Sequence, residues 1–479
     1  MNRDDLIKFC QEKPEEAADL IIKLIQQVSA LEERVKKLEE QINKNSGNSD
    51  KPPSSDNPFR KKKSNKNRRN LNKRKPGGQK NHNGTTLTPV ENPDKIIDYK
   101  VHKCVNCNKS LKHENVSGYE SKQEIDIPPI KIEIIEYRAE FKKCPRCGTL
   151  NKANLPEHLS HKVQYGKNIK SINSYMSQYQ LIPYERITEF FQDICNLKIS
   201  QGTLFNFNKS AYKNLEYFDK KIKEFLNCEP AVHFDETGSS INGKLNWIHA
   251  ASTMKLTYYA AHNRRGHIGM TDIGILPDFK GIAIHDFWKA YFRFKCCHAL
   301  CNAHLLRELT EIEEIFGQKW ARNMSNLLLE IKSQVDRRKL IDKKLSKYFL
   351  NKFEKEYDKI LKNGFRINPR APDKQKRRGR KKQSKAWNLL TRLKIYKNNI
   401  LTFMYDFNVP FDNNLVERDI RMIKVHQKIS GCFRSIEGAE IFCRIRSYIS
   451  TMKKNSINVF DALREVFEKR QFNFDYIAE

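Results

Sequence analysis

The sequence predicts a multidomain α/β protein, with a mixed sheet and flanking helices as its principal core. Three observations carry this. From residue 231 short apolar runs alternate with turn residues and then with helical stretches, which is how a mixed sheet reads. Residues 17 to 43 repeat apolar positions in heptads. Between these regions lie two Cys-x-x-Cys pairs, the mark of a small metal-held module.

Composition sets the partners. The chain has 479 residues, enough for about two to four domains. It is 38% hydrophobic and 30% charged, with a net charge of +32. A field of that size attracts nucleic acid or an anionic membrane. The opening "MNRDDLIKFCQEKPEE" is acidic and its apolar run is short, so no signal peptide is expected. No stretch approaches the ~18 apolar residues of a membrane span, so the chain is expected to stay where it is made. Twelve cysteines are too few for a disulfide scaffold, and clustered cysteines read first as metal ligands.

Residues 1–45 form the first element. Ile21, Leu24, Val28, Leu31, Val35, Leu38 and Ile42 follow spacings of 3, 4, 3, 4, 3 and 4, the seam of a coiled coil. Self-association into a homo-oligomer is expected; a helix packed on its own protein is the alternative. Residues 46–95 begin with linker composition, "NKNSGNSDKPPSSDNP", and then turn basic. Eleven Lys or Arg lie between Arg60 and Lys80, and no acid occurs from Asn57 to Val90. A segment of this kind cannot enter a core. It reads as an arm that neutralises DNA phosphates through Arg60, Lys61, Lys62, Lys63, Arg68 and Arg69, then Lys73, Arg74 and Lys75, against the alternative of a solvated tail.

Residues 96–157 hold Cys104 and Cys107, then Cys144 and Cys147. Four thiolates on two tight turns close a tetrahedron around a structural Zn²⁺ and leave no open position for catalysis. The 36 residues between the pairs exceed the usual ribbon spacing. They include "KQEIDIPPIKIEIIEYRAEFKK", whose alternation reads as two inserted strands. Residues 158–228 read as helices. "YERITEFFQDICN" and a second helix from Gln201, capped by Ser200, suit a helix-turn-helix that would place its second helix in a major groove.

Residues 229–310 carry the chemistry. "AVHFDET" reads as a short strand ending in acids, "KLNWIHAAST" and "KLTYYAAH" as two more, and "GIAIHD" as a fourth strand running into Asp286. If the first and fourth are neighbours, Asp235 and Asp286 stand together. Two such carboxylates suit Mg²⁺ or Mn²⁺, and a metal pair suits in-line phosphoryl displacement. Loop acids at strand ends are the plain alternative. A third acid, Glu417, follows in the first turn of a helix opened by "DNN", with Arg421 and Lys424 beyond it. It reads either as a further ligand beside DNA-gripping bases or as an i,i+4 partner of Arg421. "CCHALCNAH" invites a second metal site, but a strand there would point Cys296 and Cys297 to opposite faces.

"HFDET", "HDFWKAYF", "CNAHLLREL", "AWNLLTRL" and "VPFDNNLVERDIRMIKVHQKISGCFRS" resemble, in order and character, the insertion-sequence-66 family of bacterial transposases. "KPGGQKNHNGTTL" and the two cysteine pairs are similar to that family's N-terminal half. The resemblance implies a ribonuclease-H-like DDE catalytic core in which Asp235 and Asp286 match the two aspartates and Glu417 the glutamate. It implies Mg²⁺-dependent cleavage at transposon ends and strand transfer into target DNA, in a cytoplasmic, DNA-associated bacterial protein, with accessory proteins of the element as further partners. His304 and Arg307 match family positions, either behind the site, in contact with DNA, or on a helix surface. The 131 residues from Asp286 to Glu417 imply a helical insertion at 311–400. That insertion contains a second basic run with Arg377, Arg378, Arg380 and Lys381, read as a DNA contact. The core then ends at 401–430, and 431–479 is a helical tail. Two rivals share these features: a DNA-binding regulator with an inactive core, and a metal-dependent nuclease of the same fold.

Overall fold

The computed structural model describes residues 3–43, 87–159, 161–370, 383–470 and 472–474. The chain divides into two units, Pro58–Ile135 and the remainder. The first basic arm, Arg60 to Lys75, and the second basic run, Arg377 to Lys381, lie outside the described residues.

Helix α1 (Arg3–Glu12) precedes α2 (Pro14–Asn43). Along α2, Ile21, Leu24, Val28, Leu31, Val35 and Leu38 each lie about half exposed, so the heptad seam is an open apolar stripe. The side chain of Ile42 lies outside the described residues.

The unit Pro58–Ile135 carries the first cysteine pair on a tight turn. The amide of Cys104 donates to Lys109 O at 2.9 Å, and that of Asn108 to Cys104 O at 3.0 Å. The second pair, in the other unit, repeats the arrangement between β1 (Phe141–Lys143) and β2 (Leu150–Lys152). There Cys144 N donates to Thr149 O and Gly148 N to Cys144 O, both at 2.9 Å. The two inserted strands expected over 122–143 do not form: only Phe141–Lys143 joins a ladder. Alternation alone is not enough. Ile125, Ile127, Ile130, Ile134 and Ile135 all stand exposed, and Pro128 and Pro129 remove two ladder donors.

Helices α3 (Lys167–Ser174), α4 (Tyr184–Cys195), α5 (Gln201–Asn214) and α6 (Glu216–Cys228) precede the sheet. Ser200 caps α5 as expected, its hydroxyl accepting from Thr203 N at 3.2 Å. The sheet comprises β3 (Ala231–Ile241), β4 (Lys244–Ser252), β5 (Thr257–His262), β6 (Ile282–His285) and β7 (Cys297–Leu300), with α7 (His267–Ile273) between β5 and β6. Its order is β5-β4-β3-β6-β7. The first three strands are antiparallel, and β6 and β7 run parallel to β3.

β3 is longer than its apolar run suggests. It continues through Gly238, Ser239 and Ser240 to a hairpin at Asn242 and Gly243, whose φ values of 49° and 72° suit a two-residue turn of primed type. Asp235 therefore sits inside the strand rather than at its end, opposite Ala250.

The remaining elements cover the sheet. They are α8 (Asn302–Phe316), α9 (Lys319–Arg338), α10 (Lys347–Ile367), α11 (Lys385–Ile395), α12 (Lys397–Tyr405), α13 (Asn414–Ser430), α14 (Ile436–Lys454) and α15 (Val459–Phe467). Val232 and Phe234 of β3 pack with Ile222, Tyr448 and Leu463 on one face. Ile241 and Ala250 share a cluster with Val416, Ile420 and Ile423 of α13 on the other. The helices α8 to α12 form a third cluster around Trp320, Phe353 and Leu390, joined to Ile284 and Leu300 of the sheet.

Candidate active site

Strand alternation decides which acids meet. Asp235 is odd-numbered, like Ile241, and so faces α13; Glu236 is even-numbered, like Val232 and Phe234, and faces the other layer. β3 and β6 run parallel with His233 opposite Ile284. Continuing that register by two residues sets Asp235 opposite Asp286, just past the end of β6. The Asp286 carboxylate is held in a local turn, Oδ1 accepting from Trp288 N at 2.8 Å.

Glu417 reaches this face because the start of α13 is tied down. The "DNN" segment reads as a helix cap, but Asn413 makes no side-chain cap. Its Nδ2 donates to the Phe234 carbonyl at 2.9 Å, and its Oδ1 faces His233 Nδ1 at 2.8 Å. Since the amide nitrogen is already engaged, Oδ1 is the acceptor and His233 carries its proton on Nδ1. Asp412 Oδ1 takes the Asn414 N–H instead, at 3.1 Å. Farther along, Asp419 Oδ2 accepts from Ser252 Oγ at 2.8 Å and Lys454 Nζ at 2.7 Å. Helix α13 is thus pinned to β3 and β4 on both sides of Glu417.

The electrostatics follow. Burial pushes the Asp235 carboxyl well above its usual range, the charge of Glu236 adds to this, and Glu417 and Asp286 push the same way. Its Oδ1 accepts the Glu236 N–H at 2.9 Å, which opposes the rise only in part. Sequence singles out one acid of the "DE" pair and passes over the other. Glu236 is nearly fully buried; burial raises its pKa, while the Tyr291 hydroxyl and Arg265 hold it down. Arg265 Nη2 lies 2.8 Å from Glu236 Oε1, and its guanidinium stacks over Trp288 and Trp247, 4.2 and 4.8 Å from the ring centroids. The adjacency of the two acids was the available signal; the partners come from sheet-to-loop packing that sequence does not display.

His304 and Arg307 face Glu417 from α8. His304 Nδ1 is 3.7 Å from Glu417 Oε1, and Arg307 Nη2 is 3.9 Å from Oε2. Cys301, the N-cap residue of α8, places its Sγ 4.0 Å from the same Oε1. Burial pushes its thiol up to about 12. Arg421 and Lys424 are exposed on α13, and the Lys424 amine donates to the Gly238 carbonyl. Thr149 draws the Cys147 thiol down to about 7, and the backbone around Cys107 lowers that of Cys104.

Asp235 lies near enough to Glu236, Asp286 and Glu417 for each to disfavour its charge, with Arg265 beside Glu236 and with Arg307 and His304 beside Glu417; among the described residues no three of these acids bring carboxylate oxygens within 4.8 Å of one another. Carboxylate oxygens are the donor type that hard divalent cations take. Residues 162–441, which include all four acids, match the model of the transposase IS66 family. Residues 8–88 match a family of unknown function. No curated protein matches the chain. The chain belongs to the transposase IS66 family, which implies a DNA-processing enzyme of an insertion sequence. No helix among the described residues is long and apolar enough to cross a membrane.

Proposed function

We propose that the protein cleaves DNA at the ends of its insertion sequence and joins them to target DNA, with Asp235, Asp286 and Glu417 as a DDE set on a ribonuclease-H-like sheet. The observation that carries this reading is the match of residues 162–441 to the transposase IS66 family; beside it, Asp235 is buried with Glu236, Glu417 and Asp286 all acting against its charge. An acid kept there at such cost makes sense as half of a cation site. Asp235 and Asp286 would hold Mg²⁺ or Mn²⁺ from the sheet, and Glu417 would approach from α13. When bound, the cation supplies Lewis-acid activation of the attacking hydroxyl and stabilises the leaving oxygen.

The chain's own residues do the rest. Asn413 and Asp419 keep Glu417 at the sheet without needing substrate. Arg421 and Lys424, exposed one and about two turns beyond Glu417 on α13, suit phosphate contacts, as do the basic runs Arg60 to Lys75 and Arg377 to Lys381. The two cysteine turns are the natural holders of structural Zn²⁺. The helical pair α4 and α5 is proposed to engage DNA, and the open stripe of α2 to pair with a second copy.

The test is strand cleavage and joining on labelled DNA bearing the element's own ends, with Mg²⁺, with EDTA, and with Glu417→Gln beside wild type. Metal-dependent cutting with joined products, both lost in the variant, supports the reading. Cutting without joined products makes the protein a nuclease, and binding without cutting makes it a regulator.

A further inference from the structure

Sequence argues against a second metal site at Cys296 and Cys297 because the two diverge, and they do: Cys296 is buried and Cys297 exposed. A different trio comes together. Cys301 Sγ, a ring nitrogen of His304 and a carboxylate oxygen of Glu417 all lie within 4.8 Å of one another. We propose that Cys301, His304 and Glu417 form a site for a borderline-soft divalent cation, Zn²⁺ above all, which shares Glu417 with the Asp235 and Asp286 pair.

The donor set argues for zinc over magnesium. Thiolate and imidazole suit Zn²⁺, whereas Mg²⁺ takes oxygen ligands. Zn–S near 2.3 Å and Zn–N and Zn–O near 2.0–2.2 Å put two ligands of a tetrahedral ion about 3.3–3.8 Å apart. Here Sγ to Oε1 is 4.0 Å and Nδ1 to Oε1 is 3.7 Å, so closing on an ion requires only small rotamer shifts. Glu417 divides its labour: Oε1 faces Cys301 and His304, while Arg307 stands by Oε2.

The fold builds the trio without strain. Cys301 is the N-cap of α8 and His304 lies in its first turn, so a Cys-x-x-His spacing brings sulfur and imidazole to the same end. The helix N-terminus favours a negative sulfur, and Asn413 N also donates to Sγ at 3.2 Å. Such outer donors accompany metal-bound thiolates. Loading would move the thiol proton to solvent as the Zn–S bond forms, leaving sulfur as thiolate with no change of oxidation state. Three protein donors leave a fourth position for water or another ligand.

A consequence rests on the function proposed above. An ion on this trio draws Glu417 away from Asp235 and Asp286, so zinc opposes magnesium-dependent cleavage.

The experiment compares full-length wild type with Cys301→Ser and His304→Gln. Each is saturated with Zn²⁺, exchanged into metal-free buffer and assayed for zinc by mass spectrometry; Co²⁺-loaded samples are read for thiolate-to-cobalt absorption. The cysteine turns contribute equally to all three proteins. Either variant should hold one zinc fewer per chain, and Cys301→Ser should lose part of the cobalt–thiolate band. Equal zinc in all three proteins with an unchanged band overturns the site. His304→Gln, at a half-buried position, decides the matter if Cys301→Ser does not fold. In the cleavage assay, the zinc concentration that halves each protein's own zinc-free rate should rise at least about tenfold in Cys301→Ser, the loss that even outer-shell changes produce. A chain that cuts no DNA but loses one zinc in the variants refutes the catalytic reading and leaves the site standing.

Discussion

Asn413→Ala tests the tie that brings Glu417 to the sheet. Asn413 is 2% exposed and spends both ends of its amide on β3, at 2.9 Å to the Phe234 carbonyl and 2.8 Å to His233 Nδ1. Alanine leaves that carbonyl and that ring N–H without these partners in a space from which water is largely excluded. Each such group costs about 1–3 kcal/mol, so the loss should be about 2–6 kcal/mol. A domain's whole stability is about 5–15 kcal/mol, so the variant should fold but unfold at clearly lower urea. Tryptophan fluorescence reads the transition. Asn414→Ala is the control: its exposed neighbour should shift stability by less than about 0.5 kcal/mol. DNA cleavage should fall further than the unfolded fraction explains, because Glu417 loses its anchor one turn away. A loss under about 1 kcal/mol for Asn413→Ala, or equal losses for both variants, refutes the tie.

Four further outcomes are expected. Asp235→Asn relieves a charge opposed by burial and three acids; it should raise the melting temperature of metal-free protein and abolish both cleavage and Mg²⁺-induced stabilisation, and a lowered melting temperature in the absence of metal contradicts the crowding. Deleting residues 60–80 removes eleven positive charges; the slope of log affinity against log salt should flatten by about 0.9 for each phosphate no longer neutralised, and an unchanged slope removes the arm from DNA binding. Cys104→Ser should lower the zinc content of the purified chain, and unchanged zinc removes that turn as a ligand pair. Burial lowers His285 to about 3 and His249 and His426 to about 4, and lowers His233 in the same direction. The unfolded chain therefore binds these protons first, so their contribution is complete above pH ~6.5 and is lost as pH falls toward about 4, at up to ~1.4 kcal/mol per unit for each histidine. His298 is lowered by burial as well, while Asp235, Glu236 and Glu229, raised by burial, act oppositely but are three against five; a melting temperature that rises on acidification from about pH 6.5 to 5 contradicts the sign.

Much of the sheet was legible because its residues leave little choice. Alternating Val, Phe, Ile and Tyr with an Asn-Gly turn specify a hairpin, and "GIAIH" reads as a buried strand; both formed. The same rule failed over 122–140, where the alternating isoleucines stay exposed and two prolines interrupt the run. Strand length was misread at Gly238, which local propensity disfavours. The paired neighbour overrides it: β4 runs opposite all the way to Lys244, and Leu245 and Trp247 pack beside Gly238. Asp235, Asp286 and Glu417 could be named from sequence, but where they stand in the fold depends on β3–β6 register and on Asn413, whose side chain reads as a helix cap and instead joins two elements. Glu236, Arg265 and Tyr291 were not legible, since one strand position decides the face on which each acid emerges. Cys301 was visible as a cysteine among others; only the arrival of α13 gives it Glu417.

The site's economy follows from where its repulsion is offset. Four acids in one region oppose folding, and the near basic groups do not cancel them. What holds them is packing and hydrogen bonding outside the cluster: Asn413 on β3 before Glu417, and the half-buried Asp419–Lys454 pair with Ser252 after it. Lys454 belongs to α14, whose Tyr448 and Ile449 also pack beneath the sheet, so the last helices hold the acids in place although they contribute none. Because α13 is pinned at two points, Glu417 need not be carried in by a cation. Its choice is narrower, between the aspartates of the sheet on one side and Cys301 with His304 on the other. On the two sites proposed above, the identity of the available metal decides that choice.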